Sequence, residues 1–125
     1  MLTVNYYIGE SAIHGLGIFA AEDIRKNQEV WRFDPNFDIE LPEDFVALFT
    51  PNDREFVETH AEYIEERKVF ILGNDGDIYM NHSSTPSLID RGNTMTAAHD
   101  ISIGEELTCD YSVVKVISFR EKNEN

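Results

Sequence analysis

The hydrophobic period of this chain changes twice, and that change restricts the fold more than any other feature. Over the first third, apolar residues come in short runs closed by turn formers. Val4-Asn5-Tyr6-Tyr7-Ile8 stops at Gly9, Gly15-Leu16-Gly17-Ile18-Phe19-Ala20 leaves a glycine turn, and Val30-Trp31-Arg32-Phe33 alternates until Pro35. Between Leu41 and Arg67 the spacing becomes helical. Phe45, Leu48 and Phe49 predict a short helix ended by Pro51. Phe56, Val57, His60, Ala61 and Ile64 predict a second, with Asn52 and Glu55 spaced as a capping box at its start. Strand character returns in Lys68-Val69-Phe70-Ile71-Leu72, closed by Gly73-Asn74-Asp75-Gly76, and again in Thr94–Ala98 and Leu107–Tyr111. The expected class is a β-rich α+β domain with one helical insert.

One segment echoes another. Ala20–Val30 (AAEDIRKNQEV) and Ala97–Leu107 (AAHDISIGEEL) agree at five of eleven positions. Asn27 and Gly104 coincide, and both residue types tolerate a positive φ in a turn. Two similar strand–turn–strand corners are expected. Two copies do not make a solenoid, which needs at least about three.

A chain of 125 residues suits a single domain over 1–125 that buries enough surface to fold without disulfides or metal. Its 10 Lys and Arg against 24 Asp and Glu give a net charge of −14. That argues against an electrostatic surface for DNA or RNA and in favour of a basic partner such as a lysine-rich peptide. The stretch from Asp34 to Glu66 holds eleven acidic residues and one basic residue, Arg54. It reads either as a solvated helical face or as an acidic rim for a cationic substrate. Cys109 is the only cysteine, so no disulfide and no cysteine-rich zinc cluster forms within one chain. His14, His60, His82 and His99 lack helical metal-ligand spacing, and no metal is expected. The N-terminus has no basic segment leading into a long apolar run, and no apolar stretch approaches ~18 residues. The expectation is a soluble cytoplasmic protein without a membrane partner.

His14-Gly15-Leu16-Gly17 allows close backbone approach to a ligand, but no βαβ alternation follows, so a dinucleotide-binding reading fails. Tyr79-Met80-Asn81-His82-Ser83-Ser84-Thr85-Pro86 is poor strand material whose Asn and His need hydrogen-bond partners. Taken with Gly104-Glu105-Glu106-Leu107-Thr108 and Asp110-Tyr111, the chain resembles the SET-domain family of protein lysine methyltransferases. The likeness is to minimal members without flanking zinc modules, and it runs from Gly15 to Tyr111 in the family's motif order. Gly15-Leu16-Gly17-Ile18-Phe19 is similar to the N-terminal cofactor motif and Asn81-His82-Ser83 with Pro86 to the central motif. The family often has arginine at Ile78, cysteine at Ser84 and asparagine at Ser87. No cysteine triad follows Tyr111. The tail Val113–Asn125, or a partner subunit such as the second copy of a homodimer, must then complete the lysine channel.

The resemblance implies β-clip-like small sheets, a helical insert over about 41–67 and a C-terminal pseudoknot that threads under a preceding loop. It implies methyl transfer from S-adenosyl-L-methionine to the ε-amine of a lysine in a protein or basic peptide, with action in the nucleus or on host chromatin included. Tyr111 would be the catalytic tyrosine. His14, Gly15, Leu16, Gly17, Tyr79, Asn81 and His82 would bind the cofactor, and Phe33 and Tyr63 would wall the substrate channel. Two rival readings are an inactive SET-like peptide-binding module and an interaction protein with an acidic insert. Retention of Asn81, His82 and Tyr111 argues against the inactive copy.

Overall fold

Short strands separated by tight turns cannot build one broad sheet, and in the computed structural model, which describes residues 1–114, they build three small ones. In chain order the first elements are β1 (Tyr6–Glu10), β2 (Leu16–Ala20), β3 (Glu29–Arg32), β4 (Ile39–Pro42), α1 (Glu43–Val46), α2 (Pro51–His60) and β5 (Glu62–Ile64). There follow β6 (Val69–Leu72), a 3-10 turn (Gly76–Tyr79), β7 (Asn81–His82), β8 (Leu88–Asp90), β9 (Thr94–Ala97), β10 (Glu106–Cys109) and α3 (Tyr111–Val114). The sheets run β1-β2-β10-β7, β3-β9-β8 and β4-β6-β5. The proposed role of the tail in closing the channel falls largely on 115–125, outside the described residues.

The two echoing segments pack on each other about a local two-fold axis. Ile24 and Ile101, each 1% exposed, exchange backbone hydrogen bonds of 2.8 and 2.7 Å. The other backbone bonds between the two segments are matched as well. Asn27 N donates to Ala97 O as Gly104 N donates to Ala20 O, at 2.9 and 2.8 Å. Asn27 and Gly104 both have positive φ, 70° and 90°. The shared aspartates now have a reason. Asp100 Oδ1 accepts from Lys26 N at 2.8 Å, and Asp23 Oδ1 accepts from Ile103 N at 3.0 Å. Each carboxylate caps the turn of the other copy. Asp23→Ala and Asp100→Ala should each cost about 1 kcal/mol in urea unfolding, the usual net worth of one hydrogen bond.

The insert departs from its helical reading. Thr50, not Asn52, caps α2, with its side-chain oxygen accepting from Asp53 N at 3.3 Å and Pro51 in the first turn. The helix stops at His60 because Ala61 is extended, at φ −94° and ψ 149°. Residues 62–64 then pair antiparallel with β6, so Tyr63 faces Phe70 as strand, not helix. Strand alternation sends Tyr63 to one face and Glu62 and Ile64 to the other. Val46, Val57, Ala61, Tyr63 and Phe70 form a small second core, separate from the main core around Ile18, Ile24, Leu88 and Leu107.

The site depends on one parallel pairing. β7 lies beside β10, with Thr108 opposite Asn81 and Cys109 opposite His82. The loop after β7 is fastened over β10, as the pseudoknot requires. Ser87 Oγ donates to Glu106 O at 2.9 Å and accepts from Thr108 N at 2.9 Å, and Ser83 N donates to Cys109 O at 3.0 Å.

Candidate active site

Because β7 and β10 run side by side, the two distant polar motifs meet. Tyr111 leaves the end of β10 at the level of His82, and its backbone N–H donates to His82 Nδ1 at 3.1 Å. That bond leaves Nδ1 unprotonated and puts the ring hydrogen of a neutral His82 on Nε2. The two rings lie 5.4 Å apart. Asp110 Oδ1 is 3.9 Å from the same nitrogen, and its carboxyl is held below the usual range chiefly by the Ser112 hydroxyl. The Tyr111 hydroxyl donates to the Met80 carbonyl at 2.6 Å. Burial above all, then Cys109 and Glu106, pushes its pKa up to about 12. The phenol is therefore a neutral donor at physiological pH.

Asn81 is 7% exposed and ties three segments together. Its Nδ2 lies 3.0 Å from His14 O, 3.1 Å from Leu16 O and 3.0 Å from Glu106 Oε2. An amide has two hydrogens, so one is shared among these acceptors. Glu106 also accepts from Ser11 Oγ at 2.8 Å, and Ser11 in turn accepts from the backbone N–H of Ile13 at 3.0 Å. The loop from Ser11 to Gly17 is thus pinned to β7 and β10. Gly17 permits this closeness, since a Cβ there would sit 2.5 Å from Glu106 Oε2 and 3.1 Å from Asn81 Nδ2. Gly15 supplies the loop's positive φ of 45°. Gly17→Ala should cost about 1–3 kcal/mol in urea unfolding, the usual penalty for overpacking, because it separates Asn81 from Glu106.

Three hollows are strung through this region. The largest is a cleft of about 500 Å³, lined by His14, Gly15, Leu16, Tyr79, Asn81 and His82, with Tyr111 in its wall. Gly17 is not among the residues that line it, and packs instead against Glu106 and Asn81. A second cavity of about 70 Å³ holds Trp31, Asp77 and Met95, and meets the cleft at Thr59, His60, Ile78, Met80 and Tyr111. A third, of about 30 Å³, is lined by Phe33, Ile64, Arg67 and Asn93 and shares Trp31, Glu62 and Ile71 with the second. Phe33 therefore sits at the outer hollow. Tyr63 lines none of the three. It is buried in the second core, with its hydroxyl donating to Glu43 Oε2 at 2.9 Å and its ring 5.0 Å from Phe70.

Sequence reasoning gave no role to Ser11, Thr59, His60 or Glu106. Glu106 stood inside a motif already singled out. His60 carried a weak signal as one position of a helical pattern, and its Nδ1 donates to Ile78 O at 2.8 Å, joining α2 to the 3-10 turn beside the cleft. Cys109 is buried, and burial pushes its thiol up, which makes it core and not nucleophile. Among the described residues no group of three His, Cys, Asp or Glu could hold a metal ion.

The family model described as SET domain matches residues 15–112. The chain belongs to the SET-domain family. Among curated proteins none matches it. Solved structures do. A Plasmodium falciparum protein titled as a candidate histone methyltransferase gives a TM-score of 0.61 at 22% identity, covering 88% of this chain and 95% of that one. Apo Chaetomium thermophilum Polycomb Repressive Complex 2, in mutated form, gives 0.72 at 21% identity over 94% of this chain. The same complex in an autoinhibited conformation, bound to S-adenosylmethionine, gives 0.70 at 20% identity over 97%. This SET domain spans only 16% and 17% of those two Chaetomium chains. At these identities the likeness is one of fold, and the small sheets, parallel β7–β10 pair and fastened loop are that fold.

The residues present fit S-adenosyl-L-methionine. The cleft volume lies within the roughly 300–1,000 Å³ range of small-molecule sites. Leu16 and Ile13 offer apolar surface at its rim, each about half exposed, while Asn81, His82 and the 13–16 backbone supply the polar groups.

Proposed function

We propose that this SET domain transfers a methyl group from S-adenosyl-L-methionine to the ε-amine of a lysine in a protein. One observation carries the reading: Tyr111, its hydroxyl held on the Met80 carbonyl at 2.6 Å, lines both the large cleft and the small cavity where the two meet. When bound in the cleft, the cofactor supplies an electrophilic methyl on a sulfonium. His14 to Leu16, Tyr79, Asn81 and His82 hold and orient it, and Gly17 lets the loop close over Asn81.

The small cavity takes the lysine. Free lysine, with a pKa of about 10.4, is almost wholly protonated near neutrality. Walls of Trp31, Ile71, Met95 and Val114 desolvate the ammonium and favour the amine. Since the Tyr111 hydrogen is spent on Met80, the phenol oxygen presents only lone pairs to the channel. It accepts an N–H of the amine and turns the nitrogen lone pair toward the cleft. The Met80 carbonyl and the phenol oxygen are the acceptors that would offer weak C–H···O contacts to a methyl group brought to this point. Alignment of this kind supplies much of the rate, with effective molarities of ~10⁵ M or more. With Tyr111 pushed up to about 12, methyl transfer should show no loss from phenol ionisation up to about pH 10. A pH–rate profile checks this.

The acidic stretch from Asp34 to Glu66 supports a basic protein substrate. Binding of a lysine-rich peptide should weaken as salt rises. Neutralising the exposed Asp44, Glu55 and Glu65 should flatten that dependence and leave cofactor affinity unchanged. An unaltered salt slope would make the face mere solvated surface. The Chaetomium neighbours are chains of a multi-subunit complex, which supports a protein partner here too; a second copy of this chain is the partner proposed. Sedimentation at rising concentration tests the homodimer.

A further inference from the structure

The second cavity contains a group that neither packing nor the methyl transfer so far described uses. Asp77 lies in the 3-10 turn, its side chain only 8% exposed. Its Oδ2 accepts from Trp31 Nε1 at 2.8 Å and lies 3.9 Å from the Met1 α-ammonium. Its Oδ1 is buried and has no hydrogen-bond partner among the described residues. A buried carboxylate oxygen without a partner is costly and rare in a folded protein, and calls for an explanation. The chain makes room for it at Gly73, because a β-carbon there would occupy the volume of the Asp77 carboxylate. Gly73, Asp77 and Trp31 all line the cavity that ends at Tyr111. At about 70 Å³, that cavity has space for a small polar group with partners.

We propose that Asp77 receives the substrate lysine's ε-ammonium in this cavity, first as its counter-ion and then as the acceptor of its proton. The inference rests on the methyltransferase reading for its substrate. The proton passes from Nζ to the Asp77 carboxylate, and the nitrogen keeps the electron pair. That pair forms the new N–C bond as the methyl–sulfur bond breaks with its electrons on sulfur, and the proton on Asp77 returns to solvent. The surrounding charges suit the role. Glu62 of β5 lines the same cavity, Asp75 Oδ1 accepts from the Asp77 N–H at 3.0 Å, and the Met1 ammonium, itself paired with the buried Asp38 at 2.9 Å, opposes them. The other titratable groups there are His60, Cys109 and Tyr111. Burial first, then Asp75, pushes Asp77 up to about 7, so it is ionised above neutrality and protonated below it.

Trp31 is the only tryptophan in the chain and donates to Asp77, so its fluorescence reports on the cavity. The probes are Nα-acetyl-lysine methylamide and its norleucine counterpart, titrated into the wild-type chain and Asp77→Asn. At about pH 8.5 the wild type should bind the lysine compound about tenfold more tightly than norleucine, as a charge-assisted bond implies. That preference should vanish in Asp77→Asn, and in the wild type at about pH 5.5, where Asp77 is protonated. The wild-type pH comparison stands even if the variant folds poorly. Equal binding of the two compounds by wild type at the higher pH, no fluorescence response to either, or a preference retained by a folded Asp77→Asn would each overturn the proposal. Methyl transfer to histones is scored separately. A lysine preference without transfer sinks the enzyme reading and keeps the Asp77 site, and transfer without the preference does the reverse.

Discussion

Tyr111→Phe is expected to lose about a hundredfold in methyl transfer, roughly 3 kcal/mol of barrier, while still binding S-adenosyl-L-methionine. The substitution removes one oxygen and keeps the ring that sits 5.4 Å from His82. It leaves the Met80 carbonyl without its 2.6 Å donor, so stability should fall by about 1 kcal/mol. The backbone N–H of residue 111 still donates to His82 Nδ1, which keeps the cofactor side in order. What disappears is the oxygen that accepts from the amine and aims its lone pair. Calorimetry, thermal melting and a transfer assay on one preparation separate these effects. A variant that melts earlier yet transfers at the parent rate would make Tyr111 a core residue only.

Asn81→Asp should have the largest effect on the cofactor cleft. The side chain is nearly isosteric, but two N–H donors become lone pairs that face the carbonyls of His14 and Leu16 and the Glu106 carboxylate, all within 3.1 Å. Like charges this close cannot both ionise without cost. Release of the loop from Ser11 to Gly17 should weaken cofactor binding by more than about tenfold, and about 3 kcal/mol of stability should go at neutral pH. The pH dependence has a definite sign. Repulsion raises the folded-state pKa of the new carboxyl above its unfolded value, so the protonated form folds better. Stability is retained below the unfolded pKa of about 4 and lost as pH rises through the raised folded value. Urea unfolding at about pH 4 and about pH 7 checks this, and a deficit equal at both values would mean lost packing instead.

What the sequence made legible follows from how far each residue's partners lie along the chain. β2 and β6 were readable because Ile18 to Ala20 and Val69 to Leu72 are apolar runs between turn residues. β5 was not, because Phe56, Val57, His60, Ala61 and Ile64 keep helical spacing until Ala61 turns extended, and only pairing with β6 decides the conformation there. β7 has two residues, too few for any period. The echo of Ala20–Val30 in Ala97–Leu107 predicted the corners but not their two-fold contact, since Asp23 and Asp100 act on the other copy's turn. The site divides in the same way. Asn81, His82 and Tyr111 were found through a motif resemblance, whereas Ser11 bonds to Glu106 from 95 positions away, and no local pattern marks it. The resemblance offered Tyr63 as a channel residue, but pairing of β5 with β6 turns its side chain into the second core, and no local pattern marks that turn. Asp77, just after Gly73-Asn74-Asp75-Gly76, escaped notice because a turn-rich stretch hides which of its acids is buried.

Radiolabelled S-adenosyl-L-methionine incubated with the chain and core histones, followed by acid hydrolysis and separation of the amino acids, tests the central proposal most directly. The expected result is label in the methyl-lysine fraction, well above a control without the protein. A folded chain that binds the labelled cofactor yet leaves the lysine fraction at control level would contradict it.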